Sequence, residues 1–231
     1  MISTRSTSTY VLIPGAGGSA WYWHRVVHEL ASRGIESIAI ELPAGDAAAG
    51  LVEYTDAVLD AVGGRRDVIV VAQSMGGFTG VSVCSRIAVR QLVFVNAMIP
   101  RIGESPGEWW AATGQRAAQV AYARELARPT EFDFVEDFFH DVPADIRAEA
   151  MRRGAPPQSE TPFAQRLELA AWPRVPMKVI TGIDDRLFPV DFQVRVATER
   201  LGVAPDLLPG GHLIALAHPV ELVDRLERIA P

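Results

Sequence analysis

Short, mostly apolar runs recur along the chain, and their spacing limits the folds that it can adopt. The runs cover residues 10–14, 35–41, 67–73, 91–97 and 176–181, with a weaker one at 204–210. Such runs predict strands that are buried on both faces of a sheet. Segments with apolar residues at helical spacing lie between them, including two that are followed by Gly34 and Gly63. The alternation predicts an α/β fold with a mostly parallel, doubly wound sheet of about six strands.

One long segment, 100–172, interrupts this alternation. It contains short helical patterns separated by prolines, and none of its apolar residues follow a strand pattern. We therefore predict a helical cap (lid) at 100–172, inserted into a core formed by 10–99 and 173–231. The polar residues 1–9 are rich in Ser and Thr, and they predict a flexible tail.

A serine follows the strand pattern at 67–73 directly. Ala72 and Gly76 lie two residues before and two after Ser74, which gives the pattern small-x-Ser-x-Gly. This pattern is typical of a nucleophile elbow, in which a tight turn lifts the serine hydroxyl above the edge of the sheet. A buried turn that contains a serine by chance is the alternative interpretation. The functional interpretation therefore depends on partners elsewhere in the chain.

Candidate partners occur in the order that elbow hydrolases use. A serine hydroxyl needs a histidine base, which in turn needs a carboxylate that orients it. Asp184 and Asp185 follow the run at 176–181, and His212 follows the weaker run at 204–210. Asp184 is more typical of a turn or capping residue, so we expect Asp185 to be the acid. We predict a catalytic group of Ser74, Asp185 and His212.

A glycine-rich loop at 14–20 follows the first predicted strand. It matches neither common phosphate-binding pattern, whereas its glycines allow the backbone to approach a site closely. Backbone N–H groups of such a loop, together with the N–H after the nucleophile, can stabilise an oxyanion. We predict an oxyanion hole formed by Ala16 and Met75. Trp21 and Trp23 are expected to pack beneath the loop.

Composition argues against several other classes of protein. A net charge of -6 and a pI of about 5.4 disfavour binding to nucleic acid or to an anionic membrane. Cys84 is the single cysteine, which excludes an intramolecular disulfide and suits a cytoplasmic location. His24 and His28 have the spacing of a metal pair, but no acidic ligand is obvious nearby in the sequence. We expect no cofactor and no metal.

The motifs together resemble those of the α/β-hydrolase superfamily. The stretches that carry the resemblance are "PGAGGSAWYWHRVVHEL", "AQSMGGFTG", "GIDDRLFP" and "GGHLIALAHP", and the resemblance spans nearly all of residues 10–230. The chain is similar to the branch of plant methylesterases, hydroxynitrile lyases and small bacterial esterases. This resemblance implies the same catalytic and oxyanion residues, and a cap. Pro14 and Gln73 depart from it, because many members have histidine at both positions.

We therefore expect an esterase that cleaves a small or medium, largely apolar carboxylic ester through an acyl-enzyme. Four aromatic cap residues are candidates for the substrate pocket: Trp109, Trp110, Phe138 and Phe139. Alternatives are a hydroxynitrile lyase, an enzyme that cleaves thioesters or C–C bonds with the same residues, and a homologue that binds a small molecule without turnover. A small-molecule substrate is the expected partner, and the sequence does not indicate an oligomeric state.

Overall fold

The computed structural model describes residues 8–230. Its six strands are β1 Thr9–Ile13, β2 Ser37–Ala39, β3 Val68–Gln73, β4 Gln91–Val95, β5 Met177–Gly182 and β6 Asp206–Leu208. They form one sheet in the order β2-β1-β3-β4-β5-β6, and every neighbouring pair is parallel. The predicted α/β fold class is confirmed.

Helices connect the strands on both sides of the sheet. In the core they are α1 His24–Ser32, α2 Leu51–Val62, α3 Gly76–Arg86, α9 Val190–Leu201, α10 Ile214–Ala217 and α11 Pro219–Ile229, with a 3-10 turn at Ala20–Trp23. Five more lie between β4 and β5: α4 Pro106–Thr113, α5 Gln115–Glu125, α6 Phe134–Phe138, α7 Ala144–Arg153 and α8 Thr161–Ala164. Across residues 8–230, none of the helices has the length and hydropathy that crossing a bilayer requires.

The two faces of the sheet bury separate apolar clusters. Val11 and Phe94 face a cluster that includes residues of α2, α3 and α9. Leu12 and Val93 face the other side, where α1, α10 and α11 pack. Burial on both faces explains why the strands appear in the sequence as continuous apolar runs.

The prediction of a flexible tail at 1–9 is wrong for Thr9, its last residue. Thr9 begins β1, and both Ser8 and Thr9 are buried. The Thr9 backbone N–H donates to Asp67, and its hydroxyl donates to Glu36 at 3.0 Å. Because the hydrogen-bonding groups of Thr9 have partners, this polar residue can be buried at the start of the strand. Residues 1–7 of the predicted tail lie outside the described residues.

Candidate active site

Ser74 lies at a sharp turn between β3 and α3. Its φ is 51°, in the left-handed region that non-glycine residues rarely adopt. Close backbone contacts enforce the turn, since the Ser74 carbonyl accepts from the N–H groups of Gly77 and Met98. A Cβ on Gly76 would lie 2.4 Å from the carbonyl oxygen of Pro14. The glycines after the serine thus provide the space that the strand, the turn and the helix need.

The structure brings Ser74, His212 and Asp185 together, and we call these three residues the relay. The serine Oγ lies 3.1 Å from His212 Nε2, and His212 Nδ1 lies 2.8 Å from Asp185 Oδ2. Asp185 and His212 are buried. A carboxylate only accepts hydrogen bonds, so Nδ1 carries the proton and Nε2 can accept from the serine hydroxyl. The catalytic role of the relay stays a prediction.

Backbone donors hold the carboxylate of Asp185. Its Oδ1 accepts from the N–H groups of Leu187 and Phe188 at 2.9 and 2.8 Å. Asp184 is exposed, and its Oδ2 accepts from the Gly210 N–H at 3.1 Å. Of the two aspartates, Asp185 therefore contacts His212, whereas Asp184 supports the loop that carries the histidine.

The loop before His212 is fixed from two sides. The Asn96 side chain, at the end of β4, donates to the Gly211 carbonyl at 2.9 Å and accepts from Gly182 N–H at 2.7 Å. The Gly211 N–H donates at 2.6 Å to Asp141, which lies in residues 100–172, here named the cap segment after its predicted role. The position of the imidazole thus depends on both the sheet and the cap segment.

The glycine-rich loop lies against the serine. A Cβ on Gly15 would lie 2.7 Å from the Ser74 Cβ, so only glycine allows this approach. The Gly17 N–H donates to Gln158 of the cap segment at 2.7 Å. Within residues 8–230, the N–H groups of Ala16 and Met75 donate to no protein acceptor. Their role as oxyanion donors stays a prediction.

A cavity of about 710 Å³ opens onto Ser74 and His212. Phe138 and Phe139 line it, and the Phe138 ring centroid lies 5.1 Å from that of His212. The cavity exposes mainly apolar atoms of the cap segment and of the glycine-rich loop, which suits an apolar ligand.

The prediction that Trp109 and Trp110 line the pocket is wrong. Both rings pack against Phe188, and the fully buried Trp109 donates its indole N–H to the Ile99 carbonyl at 3.0 Å. They attach α4 to the core instead. Trp21 was expected to pack beneath the glycine-rich loop, but it lines the cavity, whereas Trp23 is fully buried.

Comparison with known proteins identifies the family. A model described as the alpha/beta hydrolase family matches residues 10–225. The chain belongs to the alpha/beta hydrolase family. A probable esterase of Oryza sativa subsp. indica, PIR7A, is 32% identical to this hydrolase over 111 residues, which is 42% of each chain. The hydrolase thus matches less than half the length of that relative.

Solved structures share the fold of this hydrolase over almost its whole length. A pyrethroid hydrolase from Sphingobium faniae JZ-2 has a TM-score of 0.74 at 21% identity and covers 96% of this chain and 97% of its own. Polyneuridine aldehyde esterase has a TM-score of 0.77 at 18% identity, covering 97% of this chain and 100% of its own. At these identities the similarity establishes the fold alone.

Two polar residues beside the relay of this hydrolase have roles that the sequence did not assign. The Gln73 side chain accepts from the Gly15 N–H at 3.0 Å, and its Nε2 lies 3.2 Å from His212 Nε2. Asn96 holds the histidine loop, as described above. Gln73 ends β3 and Asn96 follows β4 directly, and a polar residue at the carboxyl end of a buried strand was the available signal.

His24 and His28, which have the spacing of a metal pair, form no metal site in the part of the chain that the structure describes. No group of three or more His, Cys, Asp or Glu side chains between residues 8 and 230 is arranged to hold a metal ion. His24 Nδ1 lies 2.7 Å from the Trp21 carbonyl oxygen, and its ring stacks on the Trp21 indole. His24 therefore helps to fix a tryptophan of the cavity wall.

Proposed function

We propose that this hydrolase is a serine esterase that acts through an acyl-enzyme. The observation that carries the proposal is the relay, in which Ser74 Oγ, His212 and Asp185 are hydrogen-bonded in series and the first two line an apolar cavity. A serine needs such a base to become a nucleophile, and the base needs such a carboxylate. The names of esterase relatives support ester hydrolysis in general.

Acylation begins when Ser74 Oγ attacks the ester carbonyl carbon and its proton passes to His212 Nε2. The carbonyl oxygen becomes an oxyanion, which accepts from the N–H groups of Ala16 and Met75. When the tetrahedral intermediate collapses, the C–O bond to the alcohol breaks and His212 returns the proton to the leaving alkoxide. The acyl group remains on the serine.

Deacylation repeats these steps with water as the nucleophile. His212 takes a proton from the water while its oxygen attacks the acyl carbon. The second intermediate then collapses, the bond to Ser74 breaks, and the same proton returns to Oγ. The carboxylate of Asp185 stabilises the imidazolium in both halves of the reaction.

The cavity supports a small or medium-sized carboxylic ester with a largely apolar body. Its volume of about 710 Å³ falls in the range of small-molecule sites. The rings of Phe134, Phe138 and Phe139 form one apolar part of the lining. The substituents of the ester would pack on these rings.

Substitution Ser74→Ala tests the proposal with p-nitrophenyl acetate as substrate. Wild type should release a burst of p-nitrophenol and then turn over steadily, and Ser74→Ala should lose both by about a thousandfold or more. Ser85→Ala, an exposed serine on the same helix α3, is the matched control and should keep wild-type rates. Normal folding of Ser74→Ala with undiminished hydrolysis would refute the proposal. Cleavage of cyanohydrins in place of esters would favour lyase chemistry instead.

A further inference from the structure

One charged side chain, Arg153, lines the cavity that contains the relay. Among the described residues that line it, no other Lys or Arg and no Asp or Glu occurs. Arg153 is the last residue of α7, in the cap segment. An otherwise apolar cavity with one cationic side chain is suited to a ligand that is apolar with one anionic group.

Two contacts hold the Arg153 guanidinium in place. Its Nε donates to Glu149 Oε1 at 2.8 Å, and its Cζ lies 5.2 Å from the centroid of the Trp21 ring, which also lines the cavity. The two terminal nitrogens donate to no acceptor within residues 8–230. The N–H groups of these nitrogens therefore remain available to bind a carboxylate.

Glu149 does not cancel the positive charge of this region. Its second oxygen accepts from Arg152 at 2.5 Å, so two guanidinium groups share one carboxylate and a net positive charge remains. Arg152 itself does not line the cavity. The excess charge can therefore reach a bound ligand through Arg153.

We propose that Arg153 selects monoesters of dicarboxylic acids. The free carboxylate at one end of the substrate binds the Arg153 guanidinium, the apolar chain packs in the cavity, and the ester at the other end reaches Ser74. This inference rests on the proposed esterase function and adds the chemical class of the acyl group. Because the pair is charge-assisted and Arg153 is 53% exposed, we expect it to be worth about a factor of ten in binding.

Two methyl esters of the same chain length test the proposal: monomethyl adipate, which carries a carboxylate, and methyl hexanoate, which carries a methyl group. Wild type should have a kcat/KM for monomethyl adipate about tenfold above that for methyl hexanoate, measured by pH-stat titration. Arg153→Gln should lose this preference, mainly through KM, and its kcat/KM should fall much less for methyl hexanoate than for monomethyl adipate. Arg147→Gln removes the same charge from the same helix, at a residue that neither lines the cavity nor pairs with Glu149, and should keep the preference.

Three results would overturn the proposal. They are equal kcat/KM values of wild type for the two esters, an equal loss on both esters in Arg153→Gln, and an equal loss of preference in Arg147→Gln. Calorimetry on Ser74→Ala with monomethyl adipate decides the question without turnover. Adding Arg153→Gln should weaken that binding about tenfold, and unchanged binding would also refute the proposal. Absence of hydrolysis of p-nitrophenyl acetate as well as of both methyl esters by wild type would instead refute the esterase function.

Discussion

At the scale of single residues, the Gln73 side chain connects the glycine-rich loop to His212. A backbone N–H can only donate, so the contact with Gly15 fixes the amide oxygen on that side and directs Nε2 to His212. The same Nε2 also lies 3.4 Å from the His212 carbonyl oxygen. One buried amide therefore sets the distance between the loop that carries Ala16 and the imidazole, and we infer that it aligns them.

Substitution Gln73→Met keeps the length of this side chain and removes its hydrogen bonds. We expect kcat for p-nitrophenyl acetate to fall about tenfold with little change in KM, because the base and the loop lose their common support. The unpaired N–H of Gly15 should cost about 1–3 kcal/mol of stability. Gln91→Met is the control, since Gln91 is equally buried but contacts Ile229 rather than the relay. Unchanged kcat in Gln73→Met would contradict the assigned role.

At the scale of elements, helix α3 packs very closely against the segment that follows β4. A Cβ on Gly77 would lie 2.1 Å from the backbone carbonyl oxygen of Met98, far inside van der Waals contact. Substitution Gly77→Ala should therefore push the helix away and destabilise the fold by about 3 kcal/mol or more. Thermal unfolding should show this as a drop in Tm of about 6 °C or more.

Gly64→Ala provides the comparison for Gly77→Ala. A Cβ on Gly64 would meet no atom within 4 Å, so the same added methyl group should leave Tm almost unchanged. A Tm of Gly77→Ala no lower than that of Gly64→Ala would contradict the predicted clash with Met98, because the loss of glycine flexibility in the unfolded chain does not itself lower stability.

At the scale of elements, the two tryptophans of α4 show a feature that sequence patterns do not predict. Trp109 and Trp110 lie on helix α4, but helical spacing does not say whether an aromatic face meets the core or a cavity. Both rings pack against Phe188, so they face the core and not the cavity. The strands were predictable within a few residues, because burial on both faces leaves a continuous apolar run that does not depend on distant partners.

At the scale of the whole molecule, the parallel sheet assembles the relay. Ser74 and His212 are 138 positions apart, yet each follows the carboxyl end of a strand, and parallel strands place these ends at one edge. This is why the residues of the relay were predictable from sequence. The contacts of Arg153 and Gln158 were not, because they depend on how the cap segment docks, and no local periodicity encodes that docking.

We expect the contact between His140 and the loop that follows β5 to make stability depend on pH. His140 Nε2 donates to the Asp184 carbonyl oxygen at 3.0 Å. Burial lowers the pKa of His140 from its usual 6.5, an effect that the Asp141 carboxylate opposes and the Arg186 guanidinium reinforces. The unfolded chain therefore takes up a proton more readily than the folded one. Stability is lost as pH falls from 6.5 through the lower pKa of the folded state.

Substitution His140→Gln should remove this loss, since an amide N–H can still donate to the Asp184 carbonyl but does not titrate. We expect the Tm of His140→Gln relative to wild type to rise as the pH is lowered from about 8 to about 5. His28→Gln, an exposed histidine on α1, should follow the wild-type pH dependence. A constant difference between His140→Gln and wild type at both pH values would mean that the folded protein protonates His140 as easily as the unfolded chain does. The contact between the cap segment and the core would then be independent of pH in this range.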